Sequence, residues 1–166
     1  MSNADMRIAA LAVALLLAGC GFQPMYGERQ GSEPLMAALN GVAVDPPKTR
    51  VGQLIRNEFL ADVPPGQGGL SVYRLEIEPE AREVNEIESS NTDVLRKTYR
   101  LNVSFRLSDN RTGKPVYSGK TFSYVSYDRV SSPLANVQAA TNAEERAAHE
   151  VGIDIRTRIA AYLASL

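Results

Sequence analysis

YRLNVSFRLS, residues 99–108, alternates apolar and polar side chains without a break. Tyr99, Leu101, Val103, Phe105 and Leu107 interleave with Arg100, Asn102, Ser104, Arg106 and Ser108. A period of two puts one set on each face of a strand, so this stretch predicts a half-buried antiparallel strand. Asp109-Asn110-Arg111-Thr112-Gly113-Lys114-Pro115 follows as a turn cluster, and Val116–Tyr127 returns as the partner strand. Both arms of this hairpin exceed the usual five or six residues. The phase of the second arm is open, because Phe122 and Tyr124 fall opposite to Val125 and Tyr127. Upstream, Tyr73, Leu75 and Ile77 alternate with Arg74, Glu76 and Glu78, which predicts a further strand with one wet face.

Helices flank these strands. Thr49 can cap a helix whose residues Val51, Leu54, Ile55, Phe59 and Val63 keep helical spacing, and the run from Pro64 to Gly69 ends it. Thr141-Asn142-Ala143-Glu144 fits a capping box and predicts the start of a last helix. Ala147, Val151, Ile155, Ile159 and Leu163 then recur every four residues. Leu39–Val44, closed by Asp45-Pro46-Pro47, is compatible with a first strand. The order β-α-β-β-β-α predicts an α+β fold, a mostly antiparallel sheet of about four strands with two helices on one face. A chain of 166 residues suits a single domain, and no internal repeat is visible.

Composition narrows the chemistry. Hydrophobic residues make up 44% and charged residues 22%, with a formal net charge of -1, which argues against a bulk nucleic-acid binder. There is no Trp, one His and one Cys. A single cysteine forms no internal disulfide, thiolate zinc site or redox pair. It can serve as a nucleophile, a small buried hydrophobe or an attachment point. His149 lies beside the apolar stripe of the last helix and reads as a solvated residue; with no second His, no ordinary hydrolytic triad can be assembled. Gly66-Gln67-Gly68-Gly69 precedes a strand, so it reads as a turn and not as a phosphate cradle. No catalytic residue, metal site or cofactor is expected, and the chain reads as a non-enzyme.

Charge is segregated along the chain. Residues 58–93 hold nine acidic side chains against Arg74 and Arg82, without EF-hand spacing, and read as a solvated strand face. Residues 94–129 invert the sign, with eight basic side chains against Asp109 and Asp128. Arg96, Arg100 and Arg106 share a strand face by even spacing. Together with Lys120 they are candidates to contact an anionic ligand. The alternative is that the two segments pair as neighbouring strands and neutralise each other.

The N-terminus assigns the cysteine. Ile8–Ala18 is an unbroken run of eleven apolar residues preceded by Arg7. It is shorter than the roughly 20 residues of a membrane span and matches a secretory-signal core. Leu17-Ala18-Gly19-Cys20 resembles the lipobox of bacterial lipoprotein precursors, whose cysteine thiol takes a diacylglyceryl group before the preceding peptide bond is cut. Residues 1–19 are then a lipoprotein signal peptide, 20–34 an acylated N-terminus and Gly/Ser/Glu/Gln-containing tether, and 35–166 a single α+β domain. Gly21, not Asp, follows the cysteine, which in the enterobacterial sorting rule favours the outer membrane.

Gly19-Cys20-Gly21-Phe22-Gln23-Pro24-Met25-Tyr26 resembles the Gly-Cys-Gly-Phe-x-Pro-Leu-Tyr start of the outer-membrane LPS-assembly lipoproteins, the LptE family, with Met25 where Leu is commoner. The helix Arg50–Phe59 is similar to that family's first helix, and the element order matches over the expected mature chain. The resemblance implies a lipid-anchored protein on the periplasmic side of the outer membrane. It would sit inside the lumen of an LptD-like β-barrel translocon, help that barrel assemble and bind lipopolysaccharide. An auxiliary lipoprotein of an ABC-type lipid transporter is the alternative with the same anchor and basic strip.

Overall fold

The structure, a computed structural model, describes residues 39–45, 47–61, 63, 71–87 and 95–166. The signal segment, Cys20 and the 20–34 tether lie outside these residues. Among these residues, six elements run in the order β1 (Val42–Val44), α1 (Arg50–Leu60), β2 (Tyr73–Ile87), β3 (Leu95–Asp109), β4 (Pro115–Arg129) and α2 (Pro133–Leu163). The α+β class and the order β-α-β-β-β-α are those expected. The sheet follows chain order, β1-β2-β3-β4. β2, β3 and β4 pair antiparallel, whereas β1 runs parallel to β2, with Val42 opposite Tyr73. That one parallel pairing follows from α1, which carries the chain back so that β2 begins where β1 began.

β2 is longer than its alternating start suggests and contains Pro79. The Tyr73 amide donates to the Gly41 carbonyl, so odd-numbered β2 residues turn their backbone towards β1. β1 reaches only to Val44, opposite Leu75. Among the described residues no strand pairs with β2 at Pro79 on the β1 side, so its missing N–H leaves no ladder bond unmade.

Both helices cover one face. Thr49 caps α1 as expected, its hydroxyl accepting from the Gly52 amide at 3.1 Å. Val51, Ile55 and Phe59 of α1 meet Ala147, Val151, Ile155 and Ile159 of α2 in the core with Leu75, Leu101, Val103, Phe105 and Leu107 of the sheet. Two close approaches depend on glycine. A Cβ on Gly152 would sit 2.6 Å from Glu58 Cβ, and one on Gly119 would sit 2.6 Å from Phe105 Cζ. α1 and α2 point the same way: Arg50 binds Glu144 and Glu145 at one end, while Arg156 Nη1 donates to the Glu58 carbonyl at 3.0 Å near the other.

The start of α2 corrects the capping-box reading. Ser132 is the N-cap, Pro133 holds the first turn, and Thr141 lies inside the helix. Proline suits that first position, where its missing N–H would be unsatisfied in any case. Leu134, Ala135, Ala139 and Ala140 are then good helix formers with nothing to break the run before Thr141. The Asn136 side chain pins the turn, bonding the Val130 amide and carbonyl at 2.8 Å each. This early part of the helix is largely exposed, with Leu134 and Val137 at 71% and 61%; full burial begins at Ala143.

Candidate functional site

Burial along β4 settles the phase of its side chains. Thr121, Ser123, Val125 and Tyr127 are buried beneath the helices, while Ser118, Lys120, Phe122, Tyr124, Ser126 and Asp128 face outward on the uncovered side. Register puts Lys120 opposite Ser104, Tyr124 opposite Arg100 and Asp128 opposite Arg96. Arg96, Arg100, Arg106 and Lys120 thus share the open face of the sheet.

Their surroundings differ. Arg96 grips Asp128 through two bonds of 2.9 and 3.4 Å, and this holds the Asp128 carboxyl below its ordinary pKa. Arg106 Nη1 is 3.7 Å from Glu76 Oε2 across to β2. Arg82 stands directly opposite Arg100 in the register, a like-charged pair, and Arg82 turns to Glu80. Arg100 lies over the Tyr124 ring, 5.5 Å from its centre, in cation–π range. Lys120 and Arg106 line an open depression of about 370 Å³ with Glu76, Glu78, Ser104 and Ser118. Cross-strand ion pairs take in Arg96 and Arg106 at the two ends of the strip. Between them, Arg100 and Lys120 share the surface with the Tyr124 ring.

That aromatic component was not part of the expected site. Phe122 and Tyr124 are 65% and 54% exposed, with ring centres 5.0 Å apart. The signal lay in their phase, opposite to Val125 and Tyr127. An exposed pair of rings beside guanidinium and ammonium groups offers apolar contact and anion binding together.

A second polar cluster lies on the helix side. Glu83 accepts from the Tyr127 hydroxyl at 2.8 Å and from Lys97 Nζ at 3.3 Å. Burial first, and then Glu83, raise the Tyr127 phenol to about 12; burial, Glu144 and Glu83 raise Tyr99 likewise to about 12. A raised folded-state pKa stabilises the fold below the unfolded value near 10 and loses that contribution as pH climbs through about 12. The phenols of Tyr99 and Tyr127 should therefore titrate late in an absorbance titration. Tyr127→Phe should remove one late phenol; an unchanged late phase would contradict the assignment.

His149 is not merely solvated: its Nδ1 sits 2.8 Å from Glu58 Oε2 across the α1–α2 contact. Cys20 lies outside the described residues. Among those residues no cluster of metal-binding side chains occurs, and no helix is long and apolar enough to cross a membrane.

The fold, a small sheet with both helices on one face, is shared with solved structures of bacterial lipoproteins. A crystal structure of a protein described as a lipoprotein from Caulobacter crescentus CB15 matches 82% of this chain and all of its own, at 25% identity and a TM-score of 0.66. A minor lipoprotein from Acinetobacter baumannii shares the fold at 17% identity and a TM-score of 0.55, over 73% of this chain and 89% of its own. No protein-family model matches the sequence, and no curated protein matches it either.

Proposed function

We propose that this chain is a lipid-anchored lipoprotein of the outer membrane that assembles with an LptD-like β-barrel, occupies its lumen and binds lipopolysaccharide on its way to the cell surface. The observation that carries the reading is the open sheet face, where Arg100, Arg106 and Lys120 share a surface with Phe122 and Tyr124. Lipopolysaccharide is both anionic and apolar, and such a surface matches both properties. The lipobox resemblance at Cys20 and the fold shared with the Caulobacter lipoprotein support an envelope location. The role is one of binding and assembly, not catalysis, and the lone histidine is engaged with Glu58 at the helix contact.

Depleting the protein should lower surface lipopolysaccharide and leave the partner barrel misassembled; normal display after complete depletion would count against the reading. Recovery of a permease or substrate-binding partner in place of a barrel would favour the transporter alternative. Arg106→Glu and Lys120→Glu should each weaken lipopolysaccharide binding about five- to tenfold at low ionic strength, since reversing an exposed charge alters a pairing worth up to about 1 kcal/mol. The deficit should shrink as salt rises and screening shortens to about 8 Å. Unchanged affinity at low salt would remove these residues from the site.

A further inference from the structure

β4 is the last strand of the sheet, 15 residues long, and among the described residues nothing pairs on its outer side. Backbone groups of an antiparallel strand turn alternately to one side and the other. The Lys120 carbonyl accepts from Arg158 Nη1 of α2 at 3.1 Å, so Lys120 and the residues two apart from it turn their backbone to the free edge. These are the residues whose side chains stand on the open face: Ser118, Lys120, Phe122, Tyr124, Ser126 and Asp128. No proline interrupts them, and a long edge carrying exposed rings is a template for another strand.

We propose that this edge pairs antiparallel with the same edge of a second copy of the chain, about Tyr124, joining two four-stranded sheets into one. The order of charges selects that occupant. A cation at 120 and an anion at 128 flank two aromatic rings, so an antiparallel copy sets Lys120 against Asp128 twice and Tyr124 against Tyr124. Phe122 then meets Ser126. On the helix side the facing residues are Thr121 with Tyr127 and Ser123 with Val125, all uncharged. A parallel copy in register would set like charge against like. On pairing, the Lys120 carbonyl exchanges Arg158 for the Asp128 amide of the copy, so Arg158 competes with the dimer. The inference goes beyond the lipopolysaccharide reading and does not depend on it.

The test is sedimentation velocity of the full chain in detergent micelles over a wide concentration range. The wild type should dimerise. Lys120→Asp and Asp128→Lys should each weaken the dimer at least about tenfold, because each creates two like-charge contacts. Mixing the two variants should restore a dimer, since every facing pair is then opposite in sign. Loss of the Arg96 contact in Asp128→Lys would not be repaired by mixing, which separates the interface from folding damage. Ser126→Pro removes an outward N–H, leaves the β3–β4 ladder bonds in place and should abolish pairing. Arg158→Ala should tighten it. A monomer at every concentration, a dimer that survives both charge variants, or variants that fail to recombine would each overturn the proposal.

Discussion

Phe105→Ala is expected to lower the unfolding free energy by roughly 3–5 kcal/mol, the range for truncating a buried phenylalanine. Phe105 is almost fully buried on the helix side of β3, and its ring lies across Gly119 on β4. The ring therefore fills the space that a side chain on residue 119 would occupy. Gly119→Ala in the wild-type background places a Cβ 2.6 Å from Phe105 Cζ and 3.0 Å from Cε1. Overpacking of that kind costs roughly 1–3 kcal/mol. With Phe105 already truncated the clash is gone, so Gly119→Ala should become neutral or favourable. Denaturant unfolding of the two single variants and the double variant measures this coupling. Strictly additive losses would mean that the two residues do not share the space.

Cys20→Ala is expected to abolish acylation and leave residues 1–19 attached, because the leader is cut only after the thiol has been modified. Each buried methylene of an acyl chain contributes about 0.8 kcal/mol; one chain binds marginally and two bind durably. Removing the thiol leaves nothing for the acyl donor to modify. Intact mass of the protein from the native host checks the result, reporting the acyl groups and the leader. Acyl mass on the alanine variant, or a leader still cut before residue 20, would overturn the assignment of Cys20.

Local periodicity made most of this fold legible. The unbroken alternation of Tyr99–Ser108 located β3, and Thr49 located the start of α1. The parallel pairing of β1 was not legible, because three residues in the strand carry no directional signal. The true start of α2 was hidden by a Thr-x-x-Glu spacing that occurs inside the helix as readily as at its end. Pro133 is a helix-starting signal there, but it must compete with proline's commoner meaning as a breaker. At the candidate site, even spacing sufficed to place Arg96, Arg100 and Arg106 on one face. Lys120 joined them only through register, which depends on where the hairpin turns. The exposed rings were harder to read, since an aromatic residue in a strand is usually counted toward the core. Only burial of Thr121 and Ser123, polar residues on the inner side, fixes Phe122 and Tyr124 as outward.

The opening turns of α2 have a thermodynamic consequence of their own. From Pro133 to Gln138 the helix rests on little but its N-cap and the Asn136 bonds, whereas Ala139 and Ala140 begin its packing on the core and Ala143 onward is locked against α1 and the sheet. Local opening costs little where few apolar contacts must be broken. These turns should therefore fray and reform as a separate unit while the rest of the helix stays shut, giving the domain a soft end on a rigid body.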